Sequence, residues 1–301
     1  MAHGREVLPA IIGGTLGLFG SLVIMIVHIA YPSIRNFFRK LIFILSIYDL
    51  LLSIGFLING PSNHILCRIQ TVWGSVLMTA TPSWTATISF ITYLKIVKSV
   101  SDSKVDYIQR WLHFFTIFIS LVICIIWIIF SRPEVKEAYW CFEKEANLLF
   151  GIYCIWWFFL LVILIFYILC LIKIRQAYKA IMKIASQMEK LRKKEKLKIQ
   201  LRMTLIPIVY ILTSIPSSIK RARDYFQPNA SDLKILDVLQ ALFLPSQGIF
   251  DCFIFVFFVR IVRKKIIDSL FKCCRKNQDR SLVIPLVRES YFSDEFDTEN
   301  D

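Results

Sequence analysis

The sequence predicts an all-α membrane protein, a seven-transmembrane helix bundle with a short amphipathic helix after the last span. Three observations predict it. The 301 residues are 56% hydrophobic at a mean hydropathy of +0.59, more apolar than a soluble domain of this length. Seven apolar stretches approach the roughly 20 residues that an α-helix needs to cross a hydrocarbon core of about 30 Å. The 36 Lys and Arg residues then divide unevenly, nine falling on one set of alternate segments and 27 on the other. Positive charge is retained on the cytoplasmic side, so the N-terminus is expected outside and the C-terminus in the cytoplasm. An odd number of crossings lets the chain receive something on one face and report it on the other.

The spans read as 7–30, 41–60, 68–94, 111–130, 148–172, 203–219 and 235–259, and residues 1–259 make one domain because no loop is long enough to fold by itself. The first span has only Arg5 before it and no small-residue cleavage site, which predicts an uncleaved span rather than a signal peptide. Its Gly13 and Gly17, with Gly14 and Gly20 beside them, form a small-residue face for close helix packing within the bundle or, alternatively, for dimerisation. Span 2 carries Asp49. Span 3 is polar in its middle, with Thr79, Thr81, Ser83, Thr85, Thr87 and Ser89 around Pro82 and Trp84. Such a helix belongs among other helices or beside a wet cavity. Spans 4 and 5, rich in Trp, Phe and Ile, read as lipid-facing.

Span 6 holds Pro207 and Pro216, and span 7 holds Pro245 and the second intramembrane acid, Asp251. Each proline removes a helical hydrogen bond, which gives a static kink or a hinge. Asp49 and Asp251 each lie eight residues from the cytoplasmic end of their spans, about 12 Å deep at helical rise. Acids at that depth are costly and mark function. Equal depth lets them share water, a proton or a cation; the alternative is that each bonds a local hydroxyl or backbone group. Lys220, Arg221 and Arg223 make the outer end of span 6 unusually basic, as C-terminal helix capping or as an anion-attracting mouth.

The connecting segments carry further expectations. Of eight cysteines, the topology puts only Cys67 and Cys141 at the outer face, where a disulfide would tie the second outer loop over the mouth of span 3. Cys124, Cys154, Cys170 and Cys252 fall within spans and read as packing residues. Asn229-Ala230-Ser231 is a glycosylation sequon in a loop that the charge count places outside. The basic amphipathic stretch 187–198 suits anionic lipid or a docking partner. Residues 260–272 read as a helix lying on the membrane surface, followed by palmitoylation candidates Cys273 and Cys274 and an acidic, disordered tail over 273–301. The scattered basic residues argue against nucleic acid as a partner. No enzyme motif, metal-ligand cluster or cofactor fingerprint is present, and no Lys lies inside span 7 to hold retinal.

Several blocks in order are similar to one family. Span 2 reads LIFILSIYDLLLSIGF around Asp49. Span 3 places Cys67, Gln70, Trp84-Thr85, Ile88, Phe90 and Tyr93-Leu94. The second outer loop ends on Trp140-Cys141, and span 7 carries Gln247-Gly248. In these the chain resembles the cyclic-AMP-receptor-like (class E) G-protein-coupled receptors, a slime-mould group with plant and animal relatives. The likeness covers most of 41–258. It departs at Thr213–Pro216, where the family has Cys-Trp-x-Pro, at Asp251 for Asn and at Phe255 for Tyr. The resemblance implies a plasma-membrane receptor that binds an extracellular ligand and drives nucleotide exchange on a heterotrimeric G protein. It implies movement of span 6 about Pro207 and Pro216, a switch at Gln247 and Gly248, and a docking surface on the basic inner ends of spans 5 and 6 with 98–110. A ligand pocket is expected between the outer halves of spans 3, 5, 6 and 7, with Trp84, Trp156, Trp157 and Lys220 as candidates. The competing expectation is a small transporter or channel that uses the two buried acids and the hydroxyls of span 3 as its path.

Overall fold

The computed structural model describes residues 4–31, 37–58, 64–130, 133–137, 140–143, 146–184, 204–227 and 234–258. Its helices are α1 (Gly4–Ala30), α2 (Phe37–Leu57), α3 (His64–Ile96), α4 (Asp102–Phe130), α5 (Ala146–Ile184), α6 (Leu205–Phe226), α7 (Lys234–Phe243) and α8 (Gln247–Phe253), the last running into a π-helical turn, Ile254–Phe258. One antiparallel hairpin, β1 (Pro133–Glu137) and β2 (Trp140–Glu143), pairs Val135 with Cys141. The described residues are therefore helical or turn apart from this hairpin, in a stretch that was expected to be plain loop.

Among the described residues four helical segments are long and apolar enough to cross a membrane: Leu8–Ala30, Arg39–Leu57, Ser103–Phe130 and Tyr153–Ile181. A fifth arises if α7 and α8 are one span bent by 54°. The bend sits at Pro245, as the sequence anticipated, and the freed carbonyls find other company there. The two remaining expected spans, α3 and α6, fall short on composition. α3 is filled with hydroxyls, and α6 ends on Lys220, Arg221, Arg223 and Asp224.

The reason α3 tolerates its polarity is its position. It packs against α2, α4, α5, α6 and both strands, and every residue from 79 to 89 is buried. Most of its hydroxyls are consumed locally, the buried Thr81 excepted. Thr71, Ser75, Thr79, Thr85, Thr87, Ser89 and Thr92 each donate to the carbonyl four residues back, at 2.7–3.0 Å. Back-bonding of this kind satisfies a hydroxyl without water. Ser83 instead meets Thr116 of α4 at 3.1 Å. By contrast α4 turns Trp111, Phe114, Phe118, Leu121, Ile125 and Ile129 outward, the pattern of a helix with lipid as its neighbour.

α1 packs on α2, α7 and α8, and its glycines make that approach close. A methyl group on Gly17 would collide with the Pro245 carbonyl and the Ser53 hydroxyl; on Gly20 it would meet Gly248 and Ile249. Gly13 lies against the Ala241 and Leu242 carbonyls and the Pro245 ring. The small-residue face is thus occupied inside the bundle, against the kink of the last helices.

Candidate functional site

At one end of the bundle Cys67 and Cys141 are joined, with 5.3 Å between their Cα atoms, fastening β2 to the first turn of α3. Two neighbours in the next turn hold the same strand. Gln70 accepts from the Cys141 N–H at 3.2 Å and donates to the carbonyls of Gly55 and Ile58 at 3.2 and 3.0 Å, while Thr71 donates to the Cys141 carbonyl at 3.0 Å. Gln70 is fully buried, so all its polar valences are met by backbone that would otherwise be unpaired at the end of α2. The topology, which left only these two cysteines at the outer face, predicted the disulfide. The Gln70 clamp was legible only as a matched residue, because nothing in the sequence says which carbonyls a lone Gln will face.

Deeper in the bundle, Asp49 of α2 and Asp251 of α8 lie beside each other. Both side chains are buried to 1% exposure, and their carboxyl groups are within hydrogen-bonding reach of one another. Two carboxylates offer only acceptors, and among the described residues no other group donates to any of the four oxygens. Neither acid takes the local partner that was the alternative reading. Ser53, one turn from Asp49, donates to the Asp49 carbonyl at 2.8 Å and to the Pro245 carbonyl at 3.1 Å, which ties this part of α2 to the kink. Gln247 and Gly248 are buried between that kink and Asp251, with Gly248 packed on Gly17 and Ser21 of α1. The two intramembrane acids, the proline of span 7 and its Gln-Gly pair therefore form one contiguous junction of α1, α2 and α8.

The residues proposed as a ligand pocket do not share one place. Trp156 donates to the Tyr210 hydroxyl at 2.6 Å and stacks edge-on with Tyr153 at 5.2 Å, joining α5 to α6. Trp157 packs on Phe150 and Tyr153 in the same cluster. Arg221 reaches the Tyr153 hydroxyl at 3.4 Å, lies over its ring and bonds Asp224 at 3.2 Å. Lys220 pairs with Asp237 of α7. Two cations of the basic α6 end thus serve internal pairs. Trp84 is elsewhere. Its indole donates to the Leu41 carbonyl at 3.0 Å and meets His113 edge-on at 4.9 Å, so its ring contacts α2 and α4. Tyr210 was missed by sequence reasoning, although a lone tyrosine in a span does signal a buried hydroxyl seeking a partner; Arg221 was read only as part of the basic helix end, not as a partner of Tyr153.

The two prolines of α6 differ. Pro207 is in the first turn, where no helical hydrogen bond is lost, and Pro216 is in the helix interior. Asn229, Cys273, Cys274, the basic stretch 187–198 and the expected surface helix and tail, 260–301, lie outside the described residues. Among the described residues no three His, Cys, Asp or Glu side chains converge as metal ligands.

No family model matches the chain. It is 22% identical to cyclic AMP receptor-like protein A of Dictyostelium discoideum, over 88% of this chain and 69% of that protein. It is 24% identical to G-protein coupled receptor 1 of Arabidopsis thaliana, over 79% and 74%, and 23% identical to G-protein coupled receptor 157 of Mus musculus, over 93% and 91%. The likeness is to G-protein-coupled receptors, at low identity and across most of each chain. Together with the apolar helices it supports a multi-pass membrane protein.

Proposed function

We propose that this chain is a seven-span receptor of the cyclic-AMP-receptor-like (class E) type that passes an extracellular signal to a heterotrimeric G protein. The observation that carries it is the enclosed α3, fastened by a disulfide and Gln70 to a hairpin, in a chain whose relatives named as receptors align over 79% or more of it. α3 and α6 are counted as crossings because protein, not lipid, surrounds their polar groups. With α7 and α8 as one bent span, the total is seven. The positive-inside count puts the disulfide end outside, in an oxidising compartment suited to it.

The ligand site on this reading is the α5–α6 aromatic cluster, where Tyr153, Trp156, Trp157 and Arg221 lie at the outer ends of both helices and Lys220 fixes α6 to α7. Trp84 is set aside, since it faces α2 and α4. The buried junction around Asp49, Asp251 and Pro245 is the bistable element. A ligand shifts its two packings only by its differential affinity for them, and about 5.5 kcal/mol would carry the equilibrium from 1:99 to 99:1. α6 moves about Pro216, and the inner surface so exposed meets the G protein.

The unpartnered acid pair also fits a transporter. Against that reading stand the α3 hydroxyls, most of which, Thr81 and Ser83 apart, are bonded to their own backbone rather than lining a wet path. The purified chain in nanodiscs should accelerate guanine-nucleotide exchange on at least one heterotrimeric G protein, and proteoliposomes should show no proton or sodium flux. Flux without exchange across a panel of Gα subunits would replace the receptor with the transporter.

A further inference from the structure

A groove lined by α2, α3 and α4 lies apart from the α5–α6 contacts, its lining containing no residue of either helix. α2, α3 and α4 part toward the disulfide end and leave a groove of about 770 Å³, within the ~300–1,000 Å³ range of small-ligand sites. Along α3 it runs from Ile65 to Ala80, about 22 Å at helical rise. Its floor is Leu77 and Ala80, both buried, and its α4 wall runs from Ile117 to Ile128. The lining is apolar almost throughout and carries one charge, Arg68, at the end nearest the disulfide.

Arg68 is held rather than loose. One guanidinium nitrogen donates to the Ile128 carbonyl at 2.9 Å, which caps the end of α4. That bond uses one of five N–H donors, and among the described residues no acid pairs with the rest. A fixed cation with spare donors at one end of a long apolar trough is complementary to an anionic head on a single unbranched chain. A diacyl lipid has a second chain to place, and a neutral sterol leaves the charge unanswered. We propose that this groove binds a long-chain fatty acid, with its carboxylate on Arg68 and its chain along α3 toward Ala80.

Trp73 provides the readout. Its ring lines the groove at 36% exposure, seated against Gly55 and fixed by an indole bond to the Leu51 carbonyl at 2.9 Å. Full-length protein in phosphatidylcholine nanodiscs is titrated with a dibromostearic acid, whose bromines quench tryptophan on contact. Saturable quenching is expected, most of it lost in Trp73→Phe. The methyl ester of the same acid and the Arg68→Gln variant should each bind about tenfold more weakly, and Arg68→Lys, which keeps the charge, should stay nearer the parent. Quenching that is linear in probe, equal for acid and ester, or unchanged in Arg68→Gln overturns the proposal. So does displacement of the acid by a neutral sterol at lower concentration. The acid–ester comparison on the unsubstituted protein stands even if Arg68→Gln fails to fold.

Discussion

α3 and α4 lie side by side and solve the same problem in opposite ways. α4 carries a strongly apolar segment of 28 residues, Ser103–Phe130, with most of its surface turned outward. α3 is longer, at 33 residues, and too polar to qualify as a span by composition, yet its central residues are all buried. Hydropathy therefore measures contact with lipid, not depth inside the protein. A helix walled in by its neighbours can spend its side chains on hydroxyls that bond their own backbone, on a clamp such as Gln70 and on one large ring such as Trp84. A helix facing lipid cannot, because every exposed polar group there goes unsatisfied.

The sharpest way to break the comparison is to disturb the enclosed side at its tightest contact. In Gly17→Ala the added methyl meets the backbone carbonyl of Pro245, which has no rotamer to yield. Overpacking of this kind costs about 3 kcal/mol or more, a large part of a typical stability of roughly 5–15 kcal/mol. Fluorescence-detected size exclusion should show most of the variant aggregated, whereas Ile125→Ala on exposed α4 should elute as the parent within about 0.5 kcal/mol. Equal damage from both would mean that α1 and α4 are packed alike.

Next in size is the covalent tie. Cys67 and Cys141 close a separation of 74 residues, and by loop entropy their removal should cost about 2–5 kcal/mol. Cys67→Ser/Cys141→Ser should lower the thermal midpoint in detergent, and reductant should lower the parent to match. Gln70→Leu should destabilise by a further ~1–3 kcal/mol, because it strands the Cys141 N–H and the carbonyls of Gly55 and Ile58. A midpoint unmoved by reductant would mean the bridge does not restrain the fold.

The acid pair should respond in the opposite direction. Asp251→Asn replaces an acceptor with a group that donates to Asp49, so it should raise stability by roughly 1–2 kcal/mol. Asp49→Asn should do the same from the other side. The double variant should gain less than the sum of the two, because the residues share one contact, and a double-mutant cycle reads that coupling. Additive effects would place the two carboxyl groups in separate environments.

Much of this junction was legible because it depends on position along helices. Counting residues from the cytoplasmic ends put Asp49 and Asp251 at one depth, and Pro245 marked the bend. Gly13, Gly14, Gly17 and Gly20 of α1 announced a close approach, though not which helix would fill it. Rotation about a helix axis was less legible. Trp84 was grouped with Trp156, but its ring faces α2 and α4, since that choice depends on which neighbour offers the Leu41 carbonyl and a gap beside His113. The hairpin was hidden for another reason: strands of five and four residues are too short for their alternation to register. The arginine and lysine of the α6 end were read as a cationic mouth or as capping, and their acids were in plain view at Asp224 and Asp237.

The smallest effect discriminates most finely between a receptor and a transporter. Thr85 and Ser89 donate to carbonyls one turn back at 2.9 Å, and those carbonyls already accept helical N–H bonds. Removing such hydroxyls leaves no orphaned donor, so Thr85→Val and Ser89→Ala should each shift stability by less than about 1 kcal/mol. G-protein exchange should stay at the parent's level, read in the same nanodiscs. A path for ions would use these oxygens for coordination, and the same two substitutions would then abolish flux while leaving the fold intact. That pairing, an unchanged midpoint with a lost activity, is the one result that the enclosed, back-bonded α3 forbids.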